Sequence, residues 1–245
     1  MPLSEEYIAG RNAVSEALKS GRPADTLFVA REGVAGGSLG AVIALAKAQG
    51  VVIKDVKREK LEQLSGTSHH QGVVLTAAAR AYVELEDILD IAKAKNEEPF
   101  LILCDEIEDP HNLGAILRTA EAAGAHGLVV PRRRSAPLSQ TVARVSAGAV
   151  EHIPVARVVN LCATIENLKE QGLWTYGADM AGEPYDARPI TGAVALVVGS
   201  EGKGLGRLVK ERCDALLSLP MRGKVGSLNA SVAAGILMYE IAKHR

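Results

Sequence analysis

From Phe100 onward, short uninterrupted apolar runs recur between helical stretches, and this pattern constrains the fold more than any other feature of the chain. FLILCDEI, GLVVP, HIPVARV, LWTYGADM and ALVVG are the runs, and helical segments are expected from Asn112, near Ser139–Ser146, over Leu161–Gln171 and over Leu205–Cys213. Strands without polar alternation need cover on both faces, so this half predicts an α/β fold with a parallel sheet between helices. Ligands of such sheets sit beyond the C-terminal ends of the strands. The loops after Ile107, Val198 and Leu219 are therefore the ones to inspect.

The preceding residues form a smaller α/β pattern: a helix from Asn12 as N-cap to Lys19, TLFVA, a helix near Leu39–Gln49, VVIKDV, the short helix KREKLEQL, and QGVVLTA. The expected organisation is a first domain at 1–79, a connection at 80–98 containing a strand and helix before Pro99, and a second domain at 99–245. The 245 residues suffice for two modest domains. No apolar run approaches the roughly 20 residues that span a bilayer, and MPLSEEYIAGRNAV lacks the basic start and apolar stretch of a signal peptide. No membrane partner and a cytoplasmic location are expected.

Three cysteines, Cys104, Cys162 and Cys213, are far apart and form no metal-binding spacing, so free thiols are expected. The adjacent His69 and His70 would point to opposite faces of a strand and have no neighbouring ligand in sequence, so no metal is expected. The net charge of −1 argues against a nucleic-acid partner by sum, but basic residues cluster at Arg132–Arg134 and at Arg222 and Lys224. Aromatic residues make up only 3%, which disfavours stacked aromatic platforms for bases.

The loop after the last apolar run, GSEGKGLG (199–206), has the glycine content of a nucleotide-binding turn. It is not a Walker loop, because Gly204 rather than Ser or Thr follows Lys203. Nor does it match G-x-G-x-x-G, which weakens a nicotinamide dehydrogenase reading.

Taken with DPHNLGAILRTAEAAGAHG (109–127) and LPMRGKVGSLNASVAAGIL (219–237), this loop completes an ordered set of three motifs. In that set the chain resembles the SpoU/TrmH family of RNA 2′-O-ribose methyltransferases. YIAGRNAVSEAL and GTSHHQGVV in the first domain are similar to the small L30e-like RNA-binding module of the RlmB-type 23S rRNA guanosine methyltransferases. The resemblance implies a parallel sheet tied in a deep trefoil knot, an exception to the rule against threaded chains. It also implies a homodimer, S-adenosylmethionine as cofactor and 23S rRNA as partner, with a tRNA guanosine methyltransferase or a non-catalytic RNA-binding protein of the same fold as alternatives. By motif position, Gly199, Leu219 and Leu228 would line the cofactor site. Asn112, Arg118, Glu201, Ser227 and Asn229 would form the reaction site.

Each of these residues also has a local reading. Asn112 could be only the N-cap of its helix, Arg118 an exposed helical arginine, Glu201 a loop carboxylate capping the next helix, and Ser227 or Asn229 the cap of the last one. Methyl transfer to a ribose hydroxyl requires oxygen, methyl carbon and sulfur in line, so positioning should supply much of the catalysis. Arginine is a difficult base because its pKa exceeds about 12. The role implied for Arg118 is to bind the phosphate beside the target ribose and stabilise the developing alkoxide.

Overall fold

The computed structural model describes residues 7–31, 37–78 and 80–245. The chain divides into two compact units, Met1–Ala81 with Pro137–Gln140, and Tyr82–Ala136 with Thr141–Arg245.

The first unit has strands β1 (Tyr7–Ala9), β2 (Ala24–Ala30), β3 (Val52–Val56) and β4 (Val73–Ala77) in the order β1-β4-β2-β3. β2 and β3 are parallel, and β4 runs antiparallel to both β1 and β2. Its helices are α1 (Arg11–Lys19), α2 (Ser38–Ala48) and α3 (Arg58–Ser65). Val14 and Leu18 of α1 and Leu39 and Val42 of α2 bury against Leu27 and Leu75 of the sheet. A second cluster sets Leu61 of α3 against Ala30 and Val74. Leu75 and Val74 are neighbours on one strand and so face opposite sides, which explains why β4 is buried throughout. Asn12 is not the cap of α1; Gly10 holds that position, at φ 95°, and Asn12 lies inside the helix.

In the second unit come α4 (Leu85–Lys95), β5 (Phe100–Cys104), α5 (Pro110–Ala122), β6 (Gly127–Pro131), α6 (Gln140–Val145), β7 (Val155–Val158) and α7 (Leu161–Glu170). They are followed by β8 (Trp174–Pro184), β9 (Val194–Val198), α8 (Arg207–Arg212), β10 (Ala215–Ser218) and α9 (Ala230–Ala242). The six strands form one parallel sheet in the order β10-β8-β9-β5-β6-β7. β5 and β9 lie at its centre and are buried at every position, as their unbroken apolar runs require.

Much of the segment expected as a connection, 80–98, folds onto this unit. Val83 bridges to Ala156 beside β7, and Leu85 and Ile88 of α4 join the core. A Cβ at Gly127 would lie 2.6 Å from the Ile88 side chain, so a glycine there admits the helix. Arg157 of β7 lies over the Tyr82 ring, 3.8 Å from its centroid, and donates to its hydroxyl at 2.8 Å.

β8 contains the irregularity that matters for the site. Gly177 pairs with Leu216 of β10, but the next residue, Leu217, pairs with Glu183, so residues 178–182 are extra on the β8 side. Such a bulge breaks the alternation of faces and re-aims side chains. Gly182 permits the close return of the strand: a Cβ there would sit 2.3 Å from the Leu216 carbonyl carbon.

Candidate active site

The three loops singled out from the sequence meet at the C-terminal edge of the second unit's sheet. β9 delivers Gly199, whose added Cβ would lie 2.2 Å from the Gly204 carbonyl carbon and 2.3 Å from the Leu205 nitrogen. The loop closes on itself through reciprocal Ser200 and Gly204 backbone bonds of 3.1 and 2.9 Å, with Gly202 and Gly204 at φ 86° and 65°. Only glycine tolerates both the approach at 199 and the left-handed backbone at 202 and 204. Beyond the loop, the Gly206 N–H donates to Asp105 Oδ2 at 2.7 Å, which ties the start of α8 to the end of β5. Burial pushes the Asp105 carboxyl up, against the opposing effect of that N–H.

This loop forms one wall of a cavity of about 320 Å³. Gly199, Leu219, Ser227 and Leu228 all line it, as do Val198 and Leu237. The bulge of β8 adds Asp179 and Met180, and α8 adds Lys210. Lys210 pairs with the Asp179 carboxylate. Burial pushes Asp179 up, but Lys210 and the Ala181 N–H outweigh it and hold the carboxyl below its ordinary value. Sequence reasoning missed Asp179 and Lys210, because a bulge in a six-stranded sheet leaves no periodic signal.

Beside the cavity, Asn112, Glu201 and Asn229 form a closed hydrogen-bonded cluster. Glu201 Oε2 accepts from Asn112 Nδ2 and from Asn229 Nδ2, both at 3.0 Å, and Asn229 Nδ2 also donates to Asn112 Oδ1 at 2.9 Å. Asn229 is the N-cap of α9: its Oδ1 accepts from the Ser231 N–H at 2.9 Å and the Val232 N–H at 3.4 Å. Because that oxygen is committed to the helix, the amide nitrogen must face Glu201. Asn112 is not an N-cap. Asp109 caps α5 by accepting from the His111 N–H at 3.0 Å, Pro110 follows at the first helical position, and Asn112 sits buried in the first turn. Glu201 likewise serves the two carboxamides; Gly206 precedes α8 without a side-chain cap.

A smaller cavity of about 270 Å³ is lined by Asp109 and Asn112 and shares Ser200, Glu201 and Lys203 with the first. Glu201 therefore stands between two spaces. Arg118 is not part of this cluster: it is exposed on α5. Nearby, Ala115 and Thr119 of α5 and Val232, Ile236 and Tyr239 of α9 line an apolar groove. Val232, Ile236 and Tyr239 are 50%, 38% and 55% exposed. Of the arginine run, Arg134 pairs with Glu106 at 2.6 Å, and Arg132 and Arg133 are exposed.

Residues 99–239 match the SpoU rRNA methylase family, and residues 7–83 match the RNA 2′-O ribose methyltransferase substrate-binding family. The chain belongs to the SpoU rRNA methylase family. The TrmH family protein YacO of Bacillus subtilis is 54% identical to this SpoU family chain over 100% of its length and 98% of its own. The AdoMet-bound rRNA methyltransferase from Sinorhizobium meliloti is 28% identical with a TM-score of 0.60, covering 98% of this chain and 87% of that one. A structure concerned with 2′-OH methylation of C/U34 on tRNA is 28% identical with a TM-score of 0.55; it covers 60% of this chain and 96% of its own. These likenesses agree with the α/β architecture of the SpoU domain and with the small α/β domain before it. Among the described residues no SpoU family helix is long and apolar enough to cross a membrane.

Proposed function

We propose that the protein transfers a methyl group from S-adenosylmethionine to the 2′-hydroxyl of a guanosine ribose in 23S rRNA, in the cytoplasm. The observation that carries this reading is the meeting of three sequence-distant motifs, through Asn112, Glu201 and Asn229, at the wall between two cavities. The larger cavity suits the cofactor chemically. Apolar Val198, Leu219 and Leu237 accommodate an adenosine, and carboxylates of Asp179 and Glu201 beside Lys203 and Lys210 suit a ligand with both cationic and anionic ends. Gly199, Leu219 and Leu228 are assigned to hold it. When bound, S-adenosylmethionine supplies an electrophilic methyl group on sulfur.

The smaller cavity is assigned to the acceptor ribose. Asn112 and Asn229 hold the Glu201 carboxylate in one orientation, and Ser227, which lines the larger cavity, is assigned to orient the ribose by hydrogen bonding. Arg118 binds the phosphate beside the target ribose and stabilises the developing alkoxide. Its position outside the cluster fits a homodimer in which Arg118 serves the partner's site. The apolar α5–α9 groove, with Val232, Ile236 and Tyr239 exposed along it, supports that assembly. Crossovers in the strand order β10-β8-β9-β5-β6-β7 fit the knotted path that the family resemblance implies.

The rRNA target is favoured over tRNA because the Sinorhizobium rRNA enzyme matches 98% of this chain, whereas the structure concerned with tRNA matches 60%. The first unit is read as the RNA-binding domain. Incubating the protein with unmodified 23S rRNA and tRNA transcripts and mapping 2′-O-methyl groups tests the reading. A single guanosine in 23S rRNA is expected, and modification confined to tRNA would overturn the choice of target. In the same assay Arg118→Ala should lose at least about 100-fold in turnover while calorimetry shows unchanged cofactor affinity; full methylation by that variant would remove Arg118 from the mechanism.

A further inference from the structure

A further, separate pocket lies within the first unit. It encloses about 460 Å³, and its polar lining is Arg11, Asn12, Ser38, Arg58 and Gln71, with no carboxylate among the described lining residues. We infer that this pocket binds a phosphodiester of the RNA backbone, with Arg11 and Arg58 as its two charged contacts. The inference rests on the RNA-modifying function proposed above and names the residues and chemistry by which the first unit would grip its substrate.

The pocket is built rather than incidental. Arg11 Nε donates to the Gln71 carbonyl at 3.0 Å, its Nη1 donates to Ser38 Oγ at 3.2 Å, and its backbone N–H donates to Gln71 Oε1 at 3.0 Å. Gln71 can do this because it adopts φ 52°, in a loop pinned by the buried His70, whose Nδ1 accepts from the Gly72 N–H at 3.0 Å. YIAGRNAV and HHQGVV, distant in sequence, thus fix one guanidinium. Arg58 differs: it is exposed, and its side chain makes no hydrogen bond or ion pair among the described residues. A folding role does not account for it.

Arg11, Ser38 and Arg58 are also the first residues of α1, α2 and α3, and Gly10, Gly37 and Lys57 supply no side-chain cap to those helices. The start of α2 adds partial positive charge beside a pocket already carrying two guanidinium groups, whereas the first N–H of α1 is taken by Gln71 Oε1 and Glu59 lies in the first turn of α3. Such a set offers donors and positive charge and few acceptors. It suits the oxygens of a phosphate, which guanidinium forks match geometrically. Among the described residues no aromatic ring lines the pocket on which a base could stack. Contacts of this kind set affinity and register and carry no sequence information, so their loss should weaken all RNAs alike.

Filter binding of the full-length protein to 23S rRNA and tRNA transcripts, from about 50 to 300 mM KCl, tests this. Neutralising one phosphate contact should reduce the slope of log K against log[KCl] by about one. Arg58→Gln is expected to do so and to weaken both RNAs by a similar factor, about fivefold or more at 100 mM KCl. Arg58→Lys should retain the slope, and the Arg11→Gln/Arg58→Gln variant should lose about two. Amide hydrogen exchange of β2 and β4 should be unchanged in every variant, which separates the effect from misfolding of the first unit. An Arg58→Gln protein with wild-type slope and affinity overturns the inference. Displacement of the RNA by micromolar inorganic pyrophosphate also overturns it, by making the pocket a site for free anions. If wild-type protein methylates 23S rRNA and the slopes do not change, the pocket assignment alone fails. If slopes change but no RNA is methylated, the assignment stands and the proposed activity fails.

Discussion

At Gly199 the tolerance for change is smallest. Its missing Cβ would overlap the backbone of Gly204 and Leu205 at 2.2 to 2.4 Å, and backbone cannot swing aside as a side-chain tip can. Gly199→Ala must therefore open the loop that walls the larger cavity. Cofactor affinity measured by calorimetry should fall at least tenfold, about 1.4 kcal/mol, with thermal stability reduced by less than that of a core truncation. Unchanged affinity would show that this loop does not hold the cofactor. Asn112 shows how local reading misleads: helix start, polar side chain and short reach all suggest a cap. Asp109, three residues earlier, takes that role, which frees Asn112 to bond Glu201, 89 positions away in the chain.

Among elements, the junction of β5 with α8 is held by a carboxylate in an unfavourable place. Asp105 is buried and accepts from Gly206, and burial raises its pKa from the ordinary 3.8. A carboxyl whose pKa is raised by folding binds its proton more tightly in the folded than in the unfolded state. Its contribution to stability is present below 3.8 and is lost as pH rises through the folded value. Asp105→Asn keeps an acceptor for Gly206 and cannot ionise. Its melting temperature relative to wild type should therefore rise between pH 4 and pH 7. A constant difference across that range would show that the carboxyl is ionised without cost. The bulge of β8 is the other element that shapes the site, since it brings Asp179 to Lys210 at the cavity wall.

For the whole molecule, the proposed homodimer joins the remaining parts. Val232, Ile236 and Tyr239 leave the apolar α5–α9 groove open to solvent, beside the α5 face that carries Arg118. Ile236→Glu places a charge in that groove, whereas the opposite face of α9, with Ala234, Leu237 and Ile241, stays buried. Sedimentation should show a shift from dimer to monomer at micromolar concentration, and methyl transfer should fall with it. An Ile236→Glu protein that is monomeric yet fully active would exclude catalysis by an arginine from the partner. A protein that remains dimeric would move the interface elsewhere.

The sheet order was not legible in the chain, but the alternation of apolar runs and helices was, because a strand covered on both faces must be apolar at every position. The glycine loop could be named from residue types alone, since backbone approach and left-handed turns select glycine, whereas the three motif segments were joined as a set by the family resemblance. Tertiary structure decided which local roles these residues play. Asp109 rather than Asn112 caps α5, Gly10 rather than Asn12 begins α1, and His70 is buried beneath the loop that fixes Arg11. It also set Arg118 outside the Asn112, Glu201 and Asn229 cluster, and put Asp179 into the cavity by a bulge. The caps at Asp109 and Gly10 are local contacts, but the Asn112–Glu201 bond and the Asp179–Lys210 pair join segments tens of residues apart, where packing and hydrogen-bond satisfaction choose among options that are equally open to the isolated segment.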